Sequence, residues 1–378
     1  MKFTTKSLFV LVSAGISIGA AAQSTNLKKQ QGYLASQKNG SISVLSRWNS
    51  FKPKDGYKAF ADPQQKILAQ MGLSIPESKT ANKTNQFYGG EAYKGNNVPY
   101  ASITDGLGNT YITGGSSNEN QASGDFFTMK IGPDGQTIWQ KREQAAQFAV
   151  EYGMQIAFDN AGNVIVSGLK WNGNDMDIRV IKYDTSGSKL WDTTFDNDKQ
   201  GLDVPNSLAT DANGNVYITG IAWSGNSIDY VTIKYNSSGS EQWHHAENPA
   251  GGESWNEATA VAVDDNGNVL VTGYSPNADG WLNYHTIKYN AAGSKLWEKA
   301  YNYESTDPEN IADVTNSVAR AITSDGEGNV YVTGTFDTFL NRIGTIKYNP
   351  DGQQEWIQTY RSDSEATMGW KAGFKNNK

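Results

Sequence analysis

Three histidines, 39 carboxylates and 32 basic side chains are the groups of this chain that could do acid–base or metal chemistry, and no cysteine joins them. His244 and His245 are adjacent, and His285 falls in a different unit of the sequence, so the three do not show the spacing of a metal site. No Gly-x-Ser-x-Gly elbow, phosphate-binding Gly-Lys-Ser/Thr loop or His-Glu-x-x-His is present. Paired carboxylates could serve glycoside chemistry, but nothing in their spacing selects a pair. The sequence therefore predicts no catalytic residue, no resident cofactor and no metal site. Lack of cysteine also excludes disulfides, thiolate ligands and a lipid-modified N-terminal Cys.

Other polar residues recur instead of converging. Asp105, Asp159, Asp211, Asp264 and Asp325 each stand three residues before a Gly-Asn pair. Their oxygens could suit calcium, a hard cation. The usual calcium loop needs more carboxylates and a closing Glu, which are missing here. A carboxylate that accepts backbone N–H groups in a tight turn explains all five copies better. Lys130, Lys182, Lys234, Lys288 and Lys347 also recur at one position. They could form a ring for an anion; the plainer reading packs each stem between units with its ammonium on a carboxylate or carbonyl.

Such residues need elements to hold them, and the repeat supplies these. In the third unit, 206–211 reads as a short strand A, 212–214 as a turn and 215–219 as strand B. A longer loop covers 220–227, strand C covers 229–235, and strand D begins at 241–243. Four short strands in a repeat of about 50 residues make one blade of a β-propeller. Trp139, Trp191, Trp243, Trp297 and Trp356 mark strand D of five units, 52, 52, 54 and 59 residues apart. Small residues Ala101, Ser207, Ala260 and Ala321, with Gln155, fit a crowded central channel. Val164, Val216, Val269 and Val330 fit the space between blades. Each Trp docked on a neighbour would contribute on the order of 2–3 kcal/mol.

The phrase Asp-x-x-Gly-Asn, a strand ending Thr-Gly in its clearest copies, then Ile-Lys-Tyr and Gly-x-x-x-Trp, resembles the bacterial SBBP β-propeller repeat family over residues 97–360. The Gly-Ser-Lys-Leu-Trp endings at 187–191 and 293–297 are also similar to the tryptophan-docking ends of quinoprotein-type propellers. The first resemblance implies an exported or surface-exposed bacterial propeller and brings no catalytic residues with it. The second suggests a quinone-dependent oxidoreductase as an enzymatic alternative, beside a polysaccharide hydrolase or lyase.

Around the repeats, residues 1–22 read as a signal peptide: Lys2 and Lys6, an apolar stretch, then Ala20-Ala21-Ala22 before Gln23. Its apolar run is shorter than the roughly 20 residues of a membrane span, so no transmembrane segment is expected in the mature chain. Residues 23–90 read as a polar extension with one short helix at 62–71, capped by Asp62 and Pro63 and ended by Gly72, and an orphan strand near 86–88. The propeller repeats take 91–362. Residues 363–378 read as an irregular tail or an incomplete further blade. The fold expected is all-β, about five four-stranded blades, with the ring either closed, shortened or completed by a second chain, so that oligomerisation is possible if it is open.

The formal charge of −7 gives nucleic acid no electrostatic footing. What departs from the repeat is aromatic: Trp171, Trp223, Trp281 and Phe336 in the expected B–C loops and Trp255 in a D–A loop, near Asn172, Asn174, Asp175, Asn226 and Asn277. Exposed aromatics among amides and carboxylates could stack on sugar rings and bond their hydroxyls. The sequence thus predicts a secreted, periplasmic or cell-surface scaffold that binds protein or glycan on its loop face without turnover.

Overall fold

The computed structural model describes residues 97–360, apart from 117–123, 146–148, 150, 198–200, 304–315 and 337–341. The stretches expected as signal peptide (1–22), helix (62–71), orphan strand (near 86–88) and tail (363–378) lie outside the described residues. All the structure that follows belongs to one unit, Thr84–Lys378.

Among its described residues are twenty strands. The first blade comprises β1 (Asn97–Thr104), β2 (Thr110–Ser116), β3 (Asp125–Ile131) and β4 (Thr137–Glu143). The second comprises β5 (Tyr152–Phe158), β6 (Val164–Trp171), β7 (Met176–Tyr183) and β8 (Lys189–Phe195). In the third are β9 (Val204–Thr210), β10 (Val216–Trp223), β11 (Ile228–Tyr235) and β12 (Glu241–Glu247). The fourth has β13 (Glu257–Val263), β14 (Val269–Pro276), β15 (Leu282–Tyr289) and β16 (Lys295–Tyr301). The fifth has β17 (Val318–Ser324), β18 (Val330–Phe336), β19 (Arg342–Tyr348) and β20 (Gln354–Tyr360). Each set is one antiparallel four-stranded sheet in sequence order, so the architecture is five propeller blades. Strands A of consecutive blades, β1 to β5 to β9 to β13 to β17, lie against one another.

The motif aspartates make the A–B turns. In every copy one carboxylate oxygen accepts the N–H groups two and four residues on, as Asp211 does from Asn213 and Asn215 at 2.9 Å each. The other accepts the amide of the turn Asn, 2.7 Å for Asn215. In the first, third and fifth blades it also accepts a tyrosine hydroxyl from strand B, Tyr111, Tyr217 and Tyr331. The turn closes because the Gly between them has φ near 80°, which a side chain would disfavour. Against the raising effect of burial, these contacts hold the Asp105, Asp211 and Asp325 carboxyls below the usual range; at Asp159 the hydrogen bond from Lys182 lowers the carboxyl most, ahead of those from Asn163.

Strand B runs longer than the sequence pattern suggests. Gly114, Gly168, Gly220, Gly273 and Gly334 do not open a loop; they sit inside strand B, where strand A slips register opposite them. A Cβ on Gly220 would come 1.9 Å from the carbonyl oxygen of Val204. The bulge brings the two backbones too close for any side chain. Strand B therefore continues to Trp171 and Trp223, which end strands rather than sit in loops.

Between blades the core is apolar. Val164, Val216, Val269 and Val330 are fully buried, in four clusters that each bridge two consecutive blades. All four junctions are clasped on their outer side by a Trp, and the first three by a Lys as well. Trp139 Nε1 donates to the Thr185 carbonyl at 3.2 Å, and Lys130 Nζ to the same oxygen at 3.4 Å. Trp191 and Lys182 share Ser237 at 3.0 and 3.3 Å; Trp243 and Lys234 share Ala291 at 3.3 and 2.7 Å. Trp297 reaches Pro350 at 3.0 Å. Lys182 and Lys288 also meet the turn carboxylates Asp159 and Asp264, at 2.7 and 3.3 Å.

At the first junction Arg179, 9% exposed, gathers Asp192 at 2.7 Å, Glu151 at 3.1 Å and Glu143 at 3.6 Å. Burial raises the Glu151 carboxyl, against the lowering effect of Arg179.

Two substitutions test this account. Gly220→Ala should destabilise by about 1–3 kcal/mol, because backbone, not a yielding side chain, faces the new methyl. Gly106→Ala meets open space and should change stability by less than about 0.5 kcal/mol. Equal midpoints in urea would refute the bulge explanation. Arg179→Ala should cost about 3–5 kcal/mol by the same measurement, since it strands buried Glu151 without a counter-charge.

Candidate functional site

The B–C and D–A loops share one end of the blades, and each D–A loop is tied to the B–C end by a repeated strut. Eight residues before each of the last four motif aspartates stands a buried polar residue: Glu151, Asp203, Asn256 and Ser317. Its backbone N–H donates to the carbonyl of Gly124, Met176, Ile228 or Leu282, at 2.7, 2.8, 2.8 and 2.6 Å. The main chain makes the tie, so the side chain at this position is free to differ from blade to blade. The sequence carried that register, but because the residue type changes each time it does not stand out among the repeats.

In the fourth blade the strut is Asn256. Its amide donates to the Ile228 carbonyl at 3.0 Å and to Asn248 at 3.0 Å, while its oxygen accepts from Ser275 at 2.7 Å. Asn248 also donates to Ser227, which donates to Asp229 at 2.5 Å. This is a self-satisfied lattice of amides and hydroxyls. At the strut of the first D–A loop, Glu151 faces Arg179.

The second D–A loop is different. Asp203 brings its carboxylate beside Asp177 of β7 and Asp196 just after β8, with oxygens of all three within 4.8 Å of one another. Asp203 accepts the N–H groups of Asn197 at 2.8 Å and Trp223 at 3.1 Å. Asn172 donates to Asp177 at 3.0 Å and to Asp175 at 2.5 Å. Burial, then proximity of the other carboxylates, raises Asp177 to about 6 and Asp203 to about 7, although the N–H bonds oppose the latter. The donor set could hold a hard divalent cation. Asp203 does not require one, because each of its oxygens already meets a backbone N–H and a share of the cluster is protonated near neutrality.

The aromatic candidates divide. Trp171, Trp223, Trp255 and Trp281 are half-buried at this end. Trp223 is the most tightly held. Its carbonyl accepts from Asn197 at 3.0 Å, and a Cβ on Gly201 would land 2.2 Å from its ring, so the D–A loop lies directly on the indole. Trp255 donates to Glu257 at 3.3 Å, and the Trp281 N–H is fixed by Asn277 at 2.9 Å. Phe336 is a correction. It is fully buried and packs on Tyr284, Tyr301 and Tyr303, with centroids 4.7 to 5.2 Å away, so it belongs to the core and cannot face a ligand. Trp171 and Trp223 come nearest the acidic crevice along the chain: Trp223 donates to it directly, and Trp171 precedes Asn172.

The histidines are structural and apart. His244 meets Glu241 at 2.6 Å, His245 meets the Gly293 carbonyl at 2.7 Å and stacks on Tyr289, and buried His285 meets Glu298 at 2.8 Å. The His285 and Lys295 contacts draw Glu298 down to about 2.

Comparison with known proteins gives a local family match. The model of the SBBP beta-propeller repeat matches residues 198–226, which span the second D–A loop and strands A and B of the third blade. No curated protein matches the sequence. Among solved structures, similarity extends to a protein of unknown function from Bacteroides caccae at 11% identity and TM-score 0.39, covering 72% of this chain and 86% of that one. It extends also to the GH93 alpha-L-arabinofuranosidase of Fusarium graminearum in complex with arabinobiose at 13% and 0.43, covering 71% and 82%. The beta-propeller domain of the Trilobed protease of Pyrococcus furiosus, of open velcro topology, gives 9% and 0.40, covering 70% of each chain. At these identities no activity passes from them to this protein. Among the described residues no helix is long and apolar enough to cross a membrane.

The acidic crevice makes stability depend on pH. Asp203 titrates near 7 in the folded chain and near the ordinary 3.9 when unfolded. The folded state therefore binds the extra proton between those values. Its contribution is full below about pH 4 and is lost as pH rises through 7. The melting temperature of wild type should fall across that window more steeply than that of Asp203→Asn. Parallel curves would refute the assignment.

Proposed function

We propose that this chain is a non-catalytic recognition scaffold, exported after loss of residues 1–22, that binds glycan or protein through the B–C and D–A loop end. The observation that carries the reading is the setting of Trp171, Trp223, Trp255 and Trp281. Each is half-buried, and they stand among Asn, Asp and Ser side chains locked by hydrogen bonds to the main chain. A rigid aromatic surface with fixed amides and carboxylates suits flat, hydroxyl-rich ligands, because stacking needs area and hydroxyls need preset partners. The reading is non-catalytic because Asp203, the carboxyl whose raised pKa would suit an acid catalyst, sits 2% exposed with both oxygens on backbone N–H groups.

Titration calorimetry against a panel of soluble polysaccharides, with reducing-sugar release measured on the same panel, tests this. Binding without release is expected. Trp171→Ala and Trp281→Ala should each weaken it about tenfold with the melting temperature unchanged; Trp223 is unsuitable because Gly201 rests on it. Sugar release would establish an enzyme in its place. Mass spectrometry of the chain recovered from the culture medium or cell envelope should find Gln23 at its N terminus; an intact Met1 would overturn export.

A further inference from the structure

Among the described residues the four junctions between blades share one Trp lock, and the Trp and the turn that would make a fifth copy do not meet each other. The knob is at the end of the fifth blade. Trp356 is 38% exposed, against 8% and 9% for Trp139 and Trp297 at equivalent positions. Its ring neighbour is Tyr331 of its own blade, 6.0 Å away, and its indole N–H finds no acceptor among the described residues. Lys347 beside it turns to Glu355 at 2.6 Å in place of a turn carbonyl.

The socket is in the first blade. Its C–D turn has the same closing bonds as the others, Gly135 N–H to Gly132 at 2.9 Å and Gly132 N–H to Gln136 at 2.8 Å. Gly135 has φ 81°, where the other four glycines range from 77° to 87°. At those four a Cβ would fall 2.7 to 2.9 Å from the Trp of the preceding blade, whereas at Gly135 it meets nothing within 4 Å among the described residues. Pro133, exposed, stands where Thr185, Ser237, Ala291 and Pro350 accept the indole N–H.

We propose that the Trp356 end of one copy docks on the Gly132–Gln136 turn of a second copy, head to tail, with Trp356 donating to the Pro133 carbonyl. Among the described residues β17 does not pack on β1 as the strands A of consecutive blades pack on one another, so closure of these five blades by a fifth such junction would require the four internal ones to change. A second copy continues them unchanged. Charge allows the joint. In the first and third junctions the residue four beyond the Trp pairs with the residue two beyond the Gly, Glu143 with Lys189 at 2.8 Å and Glu247 with Lys295 at 3.1 Å. The free ends carry Tyr360 and Thr137 there, both uncharged, so docking buries no unpaired charge. One contact is smaller: Ile131 replaces the Tyr that meets the Trp at the other four junctions, at 5.7 to 6.4 Å. The joint is apolar but weaker than the internal ones, which makes it reversible. A head-to-tail contact of this kind gives a ring if its rotation closes and a filament if it does not.

The test uses the full chain by sedimentation velocity across a hundredfold range of concentration. Concentration-dependent dimers or longer species are expected, with Trp356→Asp weakening association at least tenfold and leaving the melting temperature near wild type. Because the chain has no cysteine, Thr137→Cys and Tyr360→Cys can be mixed and treated with a short bis-maleimide. A covalent heterodimer supports the proposal. A monomer at all concentrations overturns it, whether one chain carrying both Thr137→Cys and Tyr360→Cys cross-links within itself, which shows a closed ring, or Trp356 is shielded by another part of the same chain. Association untouched by Trp356→Asp overturns it also.

Discussion

One carbonyl oxygen per blade, at the crest of the C–D turn, ties each blade to its predecessor. A Trp N–H reaches it at all four described junctions, and at three of them a Lys ammonium joins. The carbonyl is available because a left-handed glycine two residues later turns the chain and leaves an empty patch on which the indole lies flat. A blade on its own has two apolar faces and no means to bury them. The clasp brings the Val and Tyr residues of consecutive strands B and C into register, and the four apolar clusters follow from that.

The same logic explains where polarity is tolerated. The motif aspartates and the repeated lysines look in sequence like a ligand ring, since they are charged and regularly spaced. In the structure each aspartate is enclosed by N–H groups of its own turn, the first three lysines cross to the next blade, and Lys288 stays on Asp264 of its own blade. Fivefold repetition reflects the demands of a junction that has to be made again each time. Recognition chemistry has to come from positions where the repeat is interrupted, and those cluster at the loop end.

Much of the fold was legible because its signals are local. The Gly-Asn turns and the Trp spacing gave blade count, strand order and most boundaries. The Gly within strand B was misread as a loop opening because a glycine has two uses, a turn and a close approach of backbones, and only the register of strand A separates them. The same error moved Trp171, Trp223 and Phe336 into loops. Phe336 then proved to be core, because Tyr301 and Tyr303, distant in sequence, fold over it. Asp203 escaped notice because its importance lies in its register against the motif and in what β7 and β8 place beside it, and neither is visible in a single segment.

A clasp made solely between neighbours also sets how such an array yields. Each blade is coupled to the one before and the one after, so its coupling energy resembles that of beads on a line more than that of a globule with a shared centre. A pull on the Trp356 end would strip the fifth blade first, because among the described residues its outer strand has no clasp beyond it. It would then meet the same resistance at Trp297, Trp243, Trp191 and Trp139 in turn. An end of this kind loses or gains whole blades at nearly constant cost per step, and a propeller built in this way can change its number of blades without redesign of those that remain.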